Sequence, residues 1–280
     1  MTRVGILNLD RNQRSEEIIS SSMNVASLPA TKGREACKRF LADHKYDAIA
    51  VVGSGRKKAE FAERALLSGK HVLIDFPASH KLEETQRLHD TAVEKKLCLF
   101  SPNLMRTELG LPELREAVSS GTSRLLSLTI TYGAQVSQGV RQFSMKLMQL
   151  LDLVEWLANS RQREVLSHEN MAGKSPQACI VLLSMGNGVR ALVNLYSISS
   201  SSKERFWADG IFEDSITHIN PYAQSLRLSH SGQRPEEDVE WGQSSLSFAM
   251  KEFLTQISER KIMNMEQMKR MFELRDGMES

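Results

Sequence analysis

Residues 46–77 read YDAIAVVGSGRKKAEFAERALLSGKHVLIDFP. An apolar run, Ala48 to Val52, breaks at Gly53-Ser54-Gly55, and a helical pattern follows until Gly69 stops it. A second apolar run, Val72 to Ile74, then ends at Asp75-Phe76-Pro77. Strand, loop, helix, glycine stop and strand make a right-handed βαβ unit, because two parallel strands need a crossover long enough to hold a helix. Ala59, Ala62, Ala65 and Leu66 share one helix face with Phe61 at its flank, while Lys57, Lys58, Glu60, Glu63 and Arg64 are expected mostly outward. Ligands of such folds sit where strands end, so the residues after Val52 and after Ile74 are the first candidates for function.

The same alternation extends on both sides. Val4 to Leu9 reads as a strand, Ser15 to Ile19 as a helix capped by Ser15, and Val25 to Leu28 as a second strand. Gly33 to His44 is helical with Ala36, Cys37, Phe40 and Leu41 inward. Beyond the central unit, Lys81 to Lys95 is an amphipathic helix facing in with Leu82, Leu88 and Ala92, and Leu97 to Phe100 is a fifth strand. This order argues α/β class: a Rossmann-like, doubly wound parallel sheet in a first domain placed at residues 1–121.

The segment GKHVLIDFP, and the YDAIAVVGSGRKKAEFAERALLSG before it, resembles the GKHVLxEKP signature region of the Gfo/Idh/MocA oxidoreductases, the glucose-fructose oxidoreductase and inositol dehydrogenase group. The short chain and the aromatic of Asp75-Phe76-Pro77 bring the resemblance nearest to its biliverdin reductases. The resemblance implies an NAD or NADP cofactor and a small-molecule ligand in an interdomain cleft. Several positions depart from the family's pattern. The three glycines of the first strand-to-helix turn, which let backbone approach a diphosphate, are replaced by Asn8, Asp10 and Gln13. A carboxylate at Asp10 repels a diphosphate. Lys32 and Arg34, after the second strand, stand where a 2′-phosphate would be read or are solvated loop charges.

Gly53, Ser54, Gly55 and Arg56 occupy the place of the family's nicotinamide-side loop. They read either as an anion nest or as a turn with a Ser54 cap. Phe76 holds the family's catalytic lysine position and has no proton to give. Asp75 beside it is an acid facing the site or a strand-end turn cap, and Pro77 completes that corner. Asn103 stands where the family has Asn or His after the fifth strand.

The second half changes character. Leu111 to Ser120 is a helix opened by Pro112 and closed by Gly121, and Arg124 to Tyr132 alternates as a half-exposed strand. Strands are expected at Glu164 to Ser167, Ala178 to Met185, Val189 to Ser197, Arg205 to Phe212 and Ser225 to Ser229, with a tight turn at Gly186-Asn187-Gly188. They make an α+β second domain, residues 122–280, on an open antiparallel sheet. By resemblance, its uncovered face builds a homodimer or higher homo-oligomer. Met145 to Leu157 reads as the helix on which the family keeps a histidine three residues before Asp152; Gln149 stands in that place, able to orient a ligand but not to shuttle a proton. Lys146, one turn earlier, and Arg141, in the preceding loop, either bind an acidic substrate or are solvated. Two helices close the chain between Phe248 and Glu279, the second capped by Asn264 and returning to the first domain.

Composition excludes other classes. The chain has 280 residues, 36 basic and 34 acidic, for a net +2. With no clustered basic face, neither nucleic acid nor an anionic membrane surface is an expected partner. No apolar run approaches the roughly 20 residues of a membrane span. Three scattered cysteines, Cys37, Cys98 and Cys179, suggest buried reduced thiols and a cytoplasmic protein, and the first residues run directly into a strand with no signal peptide. The histidines show no metal-ligand spacing, so no metal is expected. Two functions are compatible with these residues: an NAD(P)H-dependent reductase of a small acidic or planar molecule, or a catalytically inactive homologue that binds a metabolite or a protein as a scaffold.

Overall fold

The computed structural model describes residues 2–9, 26–29, 34–53, 57–108, 110–135, 139–172, 176–198, 205–221, 225–230, 236–237 and 245–279. The chain divides into two compact units, Met1–Leu104 with Gln243–Glu273 and Met105–Gly242 with Leu274–Ser280.

The first unit is built on a parallel sheet of five strands, β1 (Val4–Asn8), β2 (Ala26–Pro29), β3 (Ala48–Val52), β4 (His71–Ile74) and β5 (Leu99–Phe100), in the order β2-β1-β3-β4-β5. Every residue of β1 and β3 is buried, as expected of central strands covered on both faces. Helices α1 (Arg34–Ala42), α2 (Lys58–Leu67) and α3 (Leu82–Lys95) supply crossovers. Gly5 is required by close packing: a Cβ there would meet the Phe40 ring of α1 at 2.8 Å. Gly69 ends α2 with φ +76°, a left-handed stop. The helix expected at Ser15 to Ile19 lies outside the described residues.

The C-terminal segment completes this core. Helix α6 (Ser245–Glu259) places Ala249, Met250 and Phe253 against Val4, Ile6, Ala50, Leu73 and Cys98. Beyond it, Ile262 bridges Leu99 as a parallel partner and the Met263 amide donates to the Leu99 carbonyl at 2.8 Å. Helix α7 (Met265–Glu279) opens as read from sequence, with Asn264 Oδ1 accepting from the amides of Glu266 and Gln267 at 3.0 and 3.2 Å.

The second unit carries a sheet of eight strands in the order β13-β12-β11-β10-β6-β9-β8-β7. These are β6 (Leu125–Gln135), β7 (Gln162–Ala172), β8 (Pro176–Met185), β9 (Arg190–Ile198), β10 (Arg205–Phe212), β11 (Ser215–Asn220), β12 (Ser225–His230) and β13 (Glu236–Glu237). Pairing is antiparallel apart from β6 with β9, which run parallel because the intervening α5 (Gly139–Leu157) and the β7–β8 hairpin form a crossover. The turn at Gly186–Gly188 is closed by the Met185 amide donating to Val189 at 2.9 Å. Helix α4 (Leu111–Ser120) has Pro112 in its first turn and Gly121, φ +66°, at its end.

On β10, Phe206, Ala208 and Phe212 are buried while Arg205 and Ile211 are exposed, so one sheet face is covered and the other open. Leu147, Leu150, Leu151 and Val154 of α5 are buried, and the helix packs across β6, β8 and β9. Three elements differ from the sequence reading. Helix α5 begins at Gly139, so Arg141 is helical rather than in a loop. The β11 strand was not expected, because Ser215-Ile216-Thr217-His218 mixes polar and apolar residues in a half-buried strand. A short β13 lies within 230–238, which reads as a loop.

Candidate active site at the strand ends

The strand order reverses between β1 and β3, the place where open α/β sheets hold ligands. The ends of these two strands are joined where the Leu9 amide donates to the Val52 carbonyl at 2.9 Å. Asn8 closes β1 and is buried, whereas Gly53 leaves β3 with φ +103°, a conformation that a side chain resists. These two cofactor-binding candidates therefore meet at the switch point. Asp10, Gln13, Lys32, Ser54, Gly55 and Arg56 lie outside the described residues, as does the rest of the expected diphosphate loop.

At the end of β4 the chain turns through a cis Phe76–Pro77 bond. Lys58 holds this turn, which corrects its expected outward position: it is only 3% exposed. Its Nζ donates to the carbonyls of Asp75 at 3.0 Å and Pro77 at 2.8 Å, and lies 3.1 Å from the Asp75 carboxylate. Lysine at the start of α2 can reach this point because its four-carbon stem spans from the helix to the strand end. The Phe76 amide donates to the Pro102 carbonyl at 2.9 Å, tying this turn to the segment after β5. Phe76 itself is 2% exposed. Sequence reading missed Lys58 because amphipathic periodicity assigns any lysine on this helix to solvent.

After β5, Asn103 is buried and engaged within the chain. Ser101, two residues before it, was not among the sequence candidates; its Oγ is buried with no hydrogen-bond partner among the described residues. At the opposite end of β4, His71 Nδ1 accepts the Cys98 amide at 2.9 Å, and burial lowers the His71 pKa. Burial also raises the Cys98 thiol to about 12, leaving it protonated and unreactive.

The remaining candidates belong to the second unit. Lys146 Nζ stands 4.4 Å above the Tyr132 ring, a cation–π contact. Burial pushes the Glu108 carboxyl up, against the pull of the Lys146 charge. Glu108 was missed because it sits in a short turn with no periodicity. Gln149, one turn after Lys146, is half-buried and already engaged within the chain.

Asp152, retained from the family's pattern, takes a forked bond from Arg106, Nε to Oδ2 at 3.0 Å and Nη2 to Oδ1 at 2.6 Å. Both Arg106 and Arg115 lie over the Trp156 ring, at 5.7 and 5.9 Å, and Arg115 donates to Asn159 at 2.6 Å. Burial, helped by the like charge of Arg106, lowers the Arg115 pKa. Among the described residues no group of three His, Cys, Asp or Glu side chains is placed to hold a metal, and no helix is long and apolar enough to cross a membrane.

A five-stranded parallel sheet with this order and a glycine-turned exit at its switch point define a doubly wound, Rossmann-like fold. Residues 4–103 match the oxidoreductase family, NAD-binding Rossmann fold (GFO/IDH/MocA). It is 28% identical over 192 residues to dTDP-3,4-didehydro-2,6-dideoxy-alpha-D-glucose 3-reductase of Streptomyces violaceoruber, a match covering 64% of this chain and 55% of that relative. Its fold resembles UDP-N-acetylglucosamine 3-dehydrogenase from Acidithiobacillus ferrooxidans, with TM-score 0.78, 16% identity, and coverage of 99% of this chain and 97% of that one. It also resembles biliverdin reductase from Synechocystis sp. PCC 6803, in complex with biliverdin and NADP+, with TM-score 0.72, 14% identity, and coverage of 99% and 98%.

Proposed function

We propose that the chain is an NAD(P)H-dependent reductase of a small molecule that is acidic or planar. The observation that carries this reading is the switch point itself: Asn8 and Gly53 meet there, beside a corner that Lys58 fixes from behind. The described residues fit a dinucleotide, since Gly53 turns the chain without a side chain and Ser101 keeps a buried, unpaired hydroxyl at the same edge. Asn8, Gly53, Pro77 and Asn103 are assigned to its nicotinamide half. The bound cofactor supplies hydride.

The chain's own residues position rather than protonate. Phe76, buried at the strand end, has no proton to give where the family has a lysine, and Gln149 is assigned to orient by hydrogen bonds where the family has a histidine. Lys146 is the cation assigned to an acidic group of the substrate. Relatives that act on nucleotide-linked sugars or on biliverdin support a substrate carrying anionic groups.

Titration with NADPH and NADH, followed by nicotinamide fluorescence, tests the reading. Low micromolar affinity is the expected result; no binding up to millimolar cofactor overturns it. A second reading, an inactive homologue that binds a metabolite or protein, is favoured by Phe76 and Gln149 together, since neither transfers a proton. It would be supported by cofactor binding without turnover of keto sugars or linear tetrapyrroles. The open sheet face, with Ile211 and Ile216 exposed and opposite one another, is assigned to a homodimer, which a monomer in sedimentation at micromolar concentration would exclude.

A further inference from the structure

We propose that the Ser101 hydroxyl is a hydrogen-bond contact for the nicotinamide half of the dinucleotide, to its carboxamide or its ribose. This rests on the cofactor reading above. Ser101 follows β5 directly, so it lies on the carboxyl edge of the parallel sheet with Asn8, Gly53 and Asp75. Its neighbours there have partners: Asn8 and Asn103 are engaged within the chain, Asp75 is paired with Lys58, and the Pro102 carbonyl accepts from Phe76. The Ser101 Oγ is buried and has none among the described residues.

A buried hydroxyl without a partner is destabilising, and native chains rarely retain one that nothing satisfies. Alanine would fill the same space at no such cost. A serine hydroxyl both donates and accepts, which matches the paired donor and acceptor of a carboxamide and the hydroxyls of a ribose. The backbone on either side is also fixed, by Phe76 donating to Pro102 and by Leu99 receiving Met263, so the hydroxyl is presented from a rigid segment.

Ser101→Ala and Ser101→Thr, compared with wild type, test the contact through two readouts that need no turnover. Thermal unfolding without cofactor should leave the alanine variant as stable as wild type or more so, because an unsatisfied group has been removed. NADPH titration by fluorescence should show it binding about tenfold more weakly, the size of one lost hydrogen bond. Threonine, which keeps the hydroxyl, should bind within about threefold of wild type if it folds. Undiminished NADPH affinity in the alanine variant, with wild type binding, overturns the contact alone. A clear fall in its cofactor-free melting temperature also overturns it, since the hydroxyl would then serve the fold. Wild type that fails to bind NADPH up to millimolar overturns the contact and the cofactor reading together.

Discussion

Each unit buries a charge pair, and the two are built differently. In the first, the Lys58 ammonium meets two backbone carbonyls and the Asp75 carboxylate, which remains 20% exposed. In the second, the Arg106 guanidinium grips Asp152, 1% exposed, through two parallel bonds and lies over Trp156. The ammonium is a point charge that gathers acceptors converging from several directions, and here it staples a turn. The guanidinium is a planar fork that matches one carboxylate and fixes a helix to the segment before α4. The first arrangement depends on backbone and the second on side chains, so they should fail differently.

Asp152→Ala should have the largest effect. It leaves Arg106 without its buried counter-charge, at about 3 kcal/mol, the low end for a broken buried pair because Arg106 is itself partly exposed. For a chain of this size that lowers the melting temperature by about 6–12 °C. A fall of under about 1 kcal/mol would show the pair to be energetically idle.

Lys58→Met should cost about 2–3 kcal/mol, because two carbonyls and a carboxylate lose their donor at once. The double variant Lys58→Met/Asp75→Asn separates the terms. If the carbonyls dominate, the double variant is no more stable than the single one. If most of the loss returns, the unpaired carboxylate was the main cost, and the contrast with Asp152 disappears.

The same contrast explains what could be read without the fold. The parallel sheet was legible because Ala48 to Val52 and Val72 to Ile74 are continuous apolar runs separated by a periodic helix, and strands buried on both faces demand that pattern. The caps at Asn264 and Gly121 and the turn at Gly186–Gly188 were legible because each is local chemistry. Lys58 was not, since its partners lie 17 and 19 residues onward and periodicity places a lysine in solvent. Glu108 and Ser101 were not, because their burial is set by the tertiary fold and leaves no mark on sequence. Of the candidate residues, Gly53 was picked out by its place at a strand end and Asn8 and Asn103 by the family resemblance; their partners needed coordinates. The β11 strand escaped because its half-exposed residues do not alternate cleanly.

The smallest effect should come from a neutral contact, His71 Nδ1 accepting from the Cys98 amide. Burial lowers the His71 pKa from 6.5, ahead of the opposing pull of Asp47, so the folded chain prefers the neutral ring. Between that lowered value and 6.5 the unfolded chain binds the proton and the folded chain does not. The contribution is therefore complete above about pH 6.5 and is lost as pH falls below it. His71→Asn keeps an acceptor near Nδ1 but cannot titrate. Denaturant unfolding at pH 7.5 and 5.5 should show wild type losing more stability than the variant over that interval, by under about 1 kcal/mol. Equal losses would mean that His71 titrates alike in both states. The strand link would then be independent of pH.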